Sequence, residues 1–145
     1  MMGRSVIEVR YHTYDRFSDF MNRWLHQALI QGIIQFKRFN SFLVDDDCDI
    51  ELAAQSIVTS AFGFSGQKCS ACSRAIIHEN VYDEVVQLIK EKTEKIVLGN
   101  VSDFNKKMGP VNDILAFNKI NEYIEIGKTE GKLLTGGQSD NSKGY

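Results

Sequence analysis

Beyond residue 44, hydrophobic residues recur every three to four positions in three stretches, which is the spacing of one face of an α-helix. The first stretch follows the acidic run Asp45–Asp49, whose side chains are candidate helix N-caps, and ends at Gly63. The second begins near Asn80, another candidate cap, and the third runs from about Asp113 to Glu130. The residues expected to face inward are Ile50, Ala53, Ala54, Ile57, Val58, Ala61, Tyr82, Val85, Val86, Ile89, Ile96, Phe117, Ile120 and Ile124.

Two short apolar runs lie between and after these helices. Ala75–Ile77 suits a buried strand, and Lys132–Thr135 is a second strand that ends at the pair Gly136-Gly137. The order of elements is then helix, strand, helix, helix, strand. That order predicts an α/β fold with a parallel sheet flanked by helices.

The first 43 residues differ in charge from the rest of the chain. Residues 1–43 carry a net charge of +3, with five of the six arginines, whereas residues 44–145 carry −5, with ten of the eleven lysines. Within the first part, Asp15–Ile34 has helical apolar spacing and predicts an amphipathic helix. An Arg-rich, acid-poor leader is typical of a targeting segment, but the acids and the length of this one fit a transit peptide poorly. We therefore favour a helix without a role, or translated sequence that was never selected to fold here.

Composition narrows the class of protein. The chain has 145 residues, 43% of them hydrophobic, which is the size and composition of one ordinary domain. Its net charge of −2 gives no reason to expect a nucleic acid or an anionic membrane as a partner. Three cysteines, Cys48, Cys69 and Cys72, do not form a disulfide framework. We therefore expect a reducing, cytoplasmic location, with the mitochondrial matrix as the alternative.

Cys69 lies in a polar loop that has features of a reactive thiol. Lys68 directly precedes it and Arg74 follows, and nearby positive charge favours the thiolate, which is the nucleophilic form. Gly66 allows the backbone to approach a bound molecule closely. The backbone N–H of Cys69 is a candidate oxyanion donor if a turn begins there. The alternative is a cysteine that is buried as a small hydrophobic residue.

Cys69 and Cys72 also form a C-x-x-C pair, which has three interpretations. A zinc site needs two further ligands, and the candidates Cys48 and His78 do not form a second close pair. A thioredoxin-like redox pair normally follows a strand, whereas a predicted helix precedes this loop. In the third interpretation Cys69 alone is reactive and Cys72 packs one turn later.

The loop Phe62–Arg74, FGFSGQKCSACSR, resembles the cysteine signature of the aldehyde dehydrogenase superfamily. The core of that signature is an aromatic residue, three residues, and then G-[QE]-x-C, which Phe62, Gly66, Gln67 and Cys69 match. The form GQKCSACSR is similar to the 1-pyrroline-5-carboxylate dehydrogenase branch. The segments DIELAAQSIV, MGPVND, EYIEIGK and SKGY are similar as well, so that the likeness spans Val44–Tyr145.

This resemblance implies a fold, a reaction and site residues. The fold is part of the aldehyde dehydrogenase catalytic domain, and the reaction is NAD-dependent oxidation of L-glutamate γ-semialdehyde to glutamate in proline catabolism. Cys69 is the implied catalytic nucleophile, which forms a thiohemiacetal and then a thioester. Its N–H is half of the oxyanion site, and Ser70 binds the substrate carboxylate. The implied partners are a small aldehyde and, in the parent enzyme, further copies of the same chain.

The resemblance is lost upstream of Val44. The general-base glutamate of the family lies in a glutamate-x-glycine-glycine-lysine run, and Gln35 occupies its place here. Nothing in the sequence resembles the dinucleotide-binding domain. We therefore expect residues 44–145 to be a partial catalytic domain joined to a leader, residues 1–43, that is unrelated or out of frame, in a chain inactive by itself. The alternatives are a small thiol-redox domain using Cys69 and Cys72, or a non-catalytic oligomerisation module.

Overall fold

Three α-helices and four strands form the part of the chain that the computed structural model describes, residues 5–8, 40–100 and 102–142. The predicted helix Asp15–Ile34 and Gln35 lie outside these residues. The strands are β1 (Ser5–Glu8), β2 (Ser41–Val44), β3 (Arg74–Ile77) and β4 (Lys132–Gly136). The α-helices are α1 (Ile50–Phe62), α2 (Tyr82–Glu94) and α3 (Ile114–Glu130), and two 3-10 helices cover Gly63–Gly66 and Glu79–Val81. The predicted α/β fold is thus confirmed.

Local signals set the ends of α1 and α3 as predicted. The Asp49 carboxylate accepts a hydrogen bond of 2.9 Å from the Leu52 N–H, which would otherwise have no partner in the first turn. Asp113 caps α3 in the same way through the Ala116 N–H, at 2.8 Å. Gly63 closes α1 by donating its N–H to the Thr59 carbonyl. The acidic run Asp45–Asp49 therefore supplies the N-cap of α1 through Asp49.

Asn80 does not cap α2, contrary to the prediction. His78 caps the 3-10 helix Glu79–Val81 instead, because its Nδ1 accepts from the Asn80 N–H at 3.3 Å. The Asn80 side chain donates to Asp46 Oδ2 at 3.0 Å. The tighter 3-10 turn moves the start of α2 to Tyr82, since Val81 occupies the capping position.

The main core lies where α1 and α2 pack over the end of β2. Val85 and Ala54 have no exposed surface, and Val44 keeps 2%. Full burial of an aliphatic side chain of this kind stabilises a fold by roughly 1.5–3 kcal/mol. The buried members of this core are Val44, Ala54, Ile57, Val58, Val81, Val85 and Ile89.

The parallel sheet predicted from the element order is present as β2 and β3. The two strands pair in parallel from Ser41 opposite Arg74 to Val44 opposite Ile77. Parallel pairing brings the segments that precede both strands to the same edge of the sheet. The sequence analysis assigned no strand to β2, and β2 runs across the predicted boundary at residue 43.

The second predicted strand, β4, joins a different ladder. It pairs antiparallel with β1, which was not predicted, with a register shift between Val6 and Ile7. Beside it, Phe117 and Ile124 of α3 pack with Val111 in a smaller core. Ile120, which was predicted to face inward, is 37% exposed. No helix among the described residues is both long and apolar enough to cross a bilayer.

Candidate functional site

A strained turn connects α1 to the cysteine loop. Phe64 and Ser65 have φ values of 55° and 56°, and Gly66 has 70°, so three successive residues are left-handed. A non-glycine residue in this region costs of the order of 1–3 kcal/mol and needs support from its surroundings. Part of that support is the Ser65 hydroxyl, which donates to the Gly109 carbonyl at 2.9 Å.

Gly66→Ala is expected to destabilise the chain by roughly 1–2 kcal/mol, because alanine disfavours a left-handed backbone. The added Cβ would also lie 3.1 Å from the Ala61 carbonyl oxygen. Gly63→Ala is the matched control, since Gly63 has an ordinary φ of −57° and its Cβ would meet only the flexible end of Lys68. Urea unfolding measures the free energy of unfolding of both variants. Equal values for the two variants would contradict the prediction.

A second contact ties the loop to the segment before α3. The Gln67 side-chain oxygen accepts from the Asn112 N–H at 3.0 Å, next to the capping residue Asp113. The two contacted residues, Gly109 and Asn112, belong to the MGPVND segment that resembles the family. The loop is therefore anchored to a part of the chain more than forty residues away.

Cys69 lies in an exposed turn beyond these anchors. The Ala71 N–H donates to the Lys68 carbonyl at 3.3 Å, so that Cys69 occupies the second position of a turn, as the oxyanion interpretation required. Ser70, the predicted substrate-binding residue, directly follows and is also exposed. The Lys68 ammonium lies 5.3 Å from the centre of the Phe64 ring, in a cation–π contact.

Cys72 packs against the core instead of facing solvent with Cys69. Its Sγ donates to the Arg74 carbonyl at 3.3 Å, and its N–H donates to Ser60 Oγ at 3.2 Å. Burial raises the pKa of the Cys72 thiol, against the opposing effect of backbone hydrogen bonds. These contacts with the core and with the Arg74 carbonyl favour the interpretation in which Cys72 has a packing role.

The raised pKa of Cys72 predicts a loss of stability at alkaline pH. The folded chain holds the neutral thiol above its ordinary pKa of 9.0, whereas the unfolded chain releases the proton near that value. This stabilisation is therefore complete below pH 9.0 and is lost as the pH rises through the higher folded value. Urea midpoints under reducing conditions should fall across this range in the native chain and less in Cys72→Ser. Identical slopes would contradict the assignment, and Cys48→Ser serves as the control.

Two polar residues that contact the loop were missed by the sequence analysis. Asn40 donates its side-chain amide to the Cys69 carbonyl at 2.5 Å. The Ser60 hydroxyl, at the end of α1, lies between the Ser70 carbonyl and the Cys72 N–H. Neither residue belongs to a motif of neighbouring residues. Each contacts the loop from a position at least ten residues away along the chain.

Comparison with known proteins identifies the family. The model of the aldehyde dehydrogenase family matches residues 38–145. The chain is 57% identical over 117 residues to 1-pyrroline-5-carboxylate dehydrogenase of Bacillus licheniformis, covering 81% of this chain and 23% of the relative. The corresponding enzyme of a Geobacillus species is 60% identical over 106 residues, covering 73% of this chain and 21% of the relative.

A solved structure agrees with these relatives. The 1-pyrroline-5-carboxylate dehydrogenase from Thermus, with bound NAD, has a TM-score of 0.70 and 39% identity, covering 74% of this chain and 20% of its own. The chain thus spans between 20% and 23% of the length of these relatives. The resemblance drawn from the cysteine loop is confirmed, and the chain belongs to the aldehyde dehydrogenase family.

Proposed function

We propose that this chain carries the nucleophile-bearing part of a 1-pyrroline-5-carboxylate dehydrogenase. The observation that supports the proposal is an exposed cysteine, Cys69, at the tip of a loop whose two sides are tied to other parts of the fold. An ordinary core cysteine would be buried, and Cys72 is partly buried against the core. The identity to relatives with this activity supports the same substrate, L-glutamate γ-semialdehyde.

The chemistry proposed for Cys69 is addition to the aldehyde. Its thiolate sulfur forms a bond to the carbonyl carbon, and the π electron pair of the C=O bond moves to the oxygen. The Cys69 N–H, in the second position of its turn, donates to this oxyanion, which then takes a proton from solvent. Ser70, one residue away, holds the carboxylate of the substrate by its hydroxyl. The product of this step is a thiohemiacetal on Cys69.

Oxidation of that adduct to a thioester needs a hydride acceptor, and NAD supplies this chemistry when it is bound. The sequence contains no G-x-G-x-x-G run of the kind that holds a dinucleotide in a strand-turn-helix unit. Gln35 also cannot activate water as the carboxylate of the family does. We therefore propose that this chain is inactive as a dehydrogenase by itself.

A chimeric enzyme tests the proposed function. Residues 40–142 of this chain replace the matching segment of the Bacillus licheniformis relative, which supplies everything else. We expect NAD reduction with L-glutamate γ-semialdehyde, and much less with an aldehyde of similar length that lacks the α-carboxylate. The unaltered relative is the control. A folded chimera that shows no preference for the γ-semialdehyde would contradict the substrate assignment.

We also propose that the leader, residues 1–43, is largely foreign to the family, although the family match begins at residue 38. The loss of the glutamate-x-glycine-glycine-lysine run at residues 35–39 supports a change of reading frame. Translation of the upstream DNA in the other two frames should restore that run. If neither frame restores it, the frame-loss explanation is wrong.

The remaining alternative, a non-catalytic oligomerisation module, stays a prediction. The surface it would use lies on α3, where Leu115, Tyr123 and Ile126 share one exposed side of the helix. These residues are 75%, 62% and 42% exposed. Light scattering of the purified chain over a range of concentrations tests it, because a constant monomer mass would exclude self-association through this surface.

A further inference from the structure

Asn40 is the residue immediately before β2, at the edge of the parallel sheet where the cysteine loop arrives. Since Ser41 pairs with Arg74, the residues that precede the two strands are neighbours in space. The Asn40 carbonyl accepts hydrogen bonds from the Ser73 N–H at 3.0 Å and the Arg74 N–H at 3.3 Å. It also accepts from the Ser73 hydroxyl at 3.0 Å. All three bonds use the Asn40 backbone, so any residue at this position would accept them.

The Asn40 side chain makes a different contact, which depends on its amide. Its Nδ2 donates to the Cys69 carbonyl oxygen at 2.5 Å, across 29 positions of the chain. An aspartate of the same shape could not donate this bond, and an alanine could not reach. Either substitution at Asn40 therefore removes the side-chain bond to Cys69 and leaves the backbone bonds at the ends of the two strands in place.

We propose that Asn40 is a positioning residue for Cys69, in the reaction proposed above. A residue has two soft backbone dihedrals, and fixing the direction of the Cys69 carbonyl fixes the plane of the Cys69–Ser70 peptide group. The orientation of that plane sets the direction in which the backbone continues into Ser70. It also limits the backbone conformations that Cys69 can adopt. Because the amide is neutral, it satisfies the carbonyl without placing a negative charge beside the thiolate.

The other anchors explain why this bond matters to Cys69 in particular. Ser65 and Gln67 hold the loop before the cysteine, and Ser60 contacts the loop at Ser70 and Cys72. Among the described residues, the Asn40 amide provides the side-chain hydrogen bond to Cys69 itself. Its removal should free the turn around the thiol while the rest of the loop stays attached.

Alkylation of Cys69 in the full 145-residue chain tests the proposal without any aldehyde chemistry. Iodoacetamide is applied at pH 7, and peptide fragmentation distinguishes Cys69 from Cys72. Asn40→Ala and Asn40→Asp should lower the Cys69 rate roughly three- to ten-fold, the range expected for one hydrogen bond. Asn40→Gln, which keeps an amide donor, should recover part of the rate. Ser73→Ala is the matched control, because it removes a bond to Asn40 and leaves Cys69 untouched.

A carbon-13 label on the Cys69 carbonyl gives a direct signature of the bond. Its infrared stretch should move in Asn40→Ala and Asn40→Asp, and should stay near the native position in Ser73→Ala. Thermal unfolding of each variant shows whether the fold is intact, and Asn40→Gln carries the comparison if alanine lowers stability. An unmoved stretch in Asn40→Ala, or Cys69 rates equal to or above the native rate in Asn40→Ala and Asn40→Asp, would overturn the proposal. Since these readouts need no substrate, they separate this proposal from failure of the proposed dehydrogenase function.

Discussion

Cys69→Ser in the chimeric enzyme is expected to lower kcat/KM for L-glutamate γ-semialdehyde by at least about 1,000-fold, because a serine hydroxyl is not ionised at neutral pH and adds poorly to an aldehyde. Cys69 is exposed and its side chain is not part of either core, so the fold should survive the change. The measurement is steady-state NAD reduction with purified chimera. Binding of the substrate, followed separately by calorimetry, should change little.

Cys72→Ser in the same chimera is the matched control and should keep kcat/KM within about three-fold. Cys72 donates its Sγ to the Arg74 carbonyl, and a serine hydroxyl can donate to the same acceptor. The two cysteines are thus expected to behave very differently, although they are three positions apart. If both substitutions removed activity equally, the thiol-redox alternative would regain support and the nucleophile assignment would fail.

Val85→Asp is expected to remove about 3–5 kcal/mol of stability, which is a large part of the total for a chain of this size. Val85 has no exposed surface and lies on α2 in the core that this helix shares with α1, among aliphatic residues that offer a carboxylate no hydrogen bond. Circular dichroism with urea should show either a much lower midpoint or an unfolded chain at the outset.

The same substitution at Val97 provides the comparison. Val97 is 46% exposed, beyond the end of α2, so a carboxylate there remains in water and should change the free energy of unfolding by less than about 1 kcal/mol. Similar losses at both positions would mean that the α1–α2 core is not formed in solution. The pair of variants therefore tests the packing independently of any activity.

Much of the local structure was predictable because its causes are local. The helical spacing of apolar residues, the Asp49 and Asp113 caps and the stop at Gly63 act within one or two turns, and the structure has α1 and α3 where they indicate. The wrong prediction at Asn80 also has a local cause, because the His78 side chain caps a 3-10 helix that directly precedes α2. The cysteine motif was equally local, and it identified the family without any knowledge of packing.

The sequence by itself determined the helices, the α/β class and the family through the Phe62–Arg74 motif. Only the tertiary structure decided which strands pair and which side chains hold the loop. β1 and β2 are defined by the strands with which they pair, and those partners lie far along the chain. The bonds from Asn40 to Cys69 and from Ser65 to Gly109 span 29 and 44 positions. Contacts at such separations follow from how the elements pack, and no pattern of neighbouring residues encodes them.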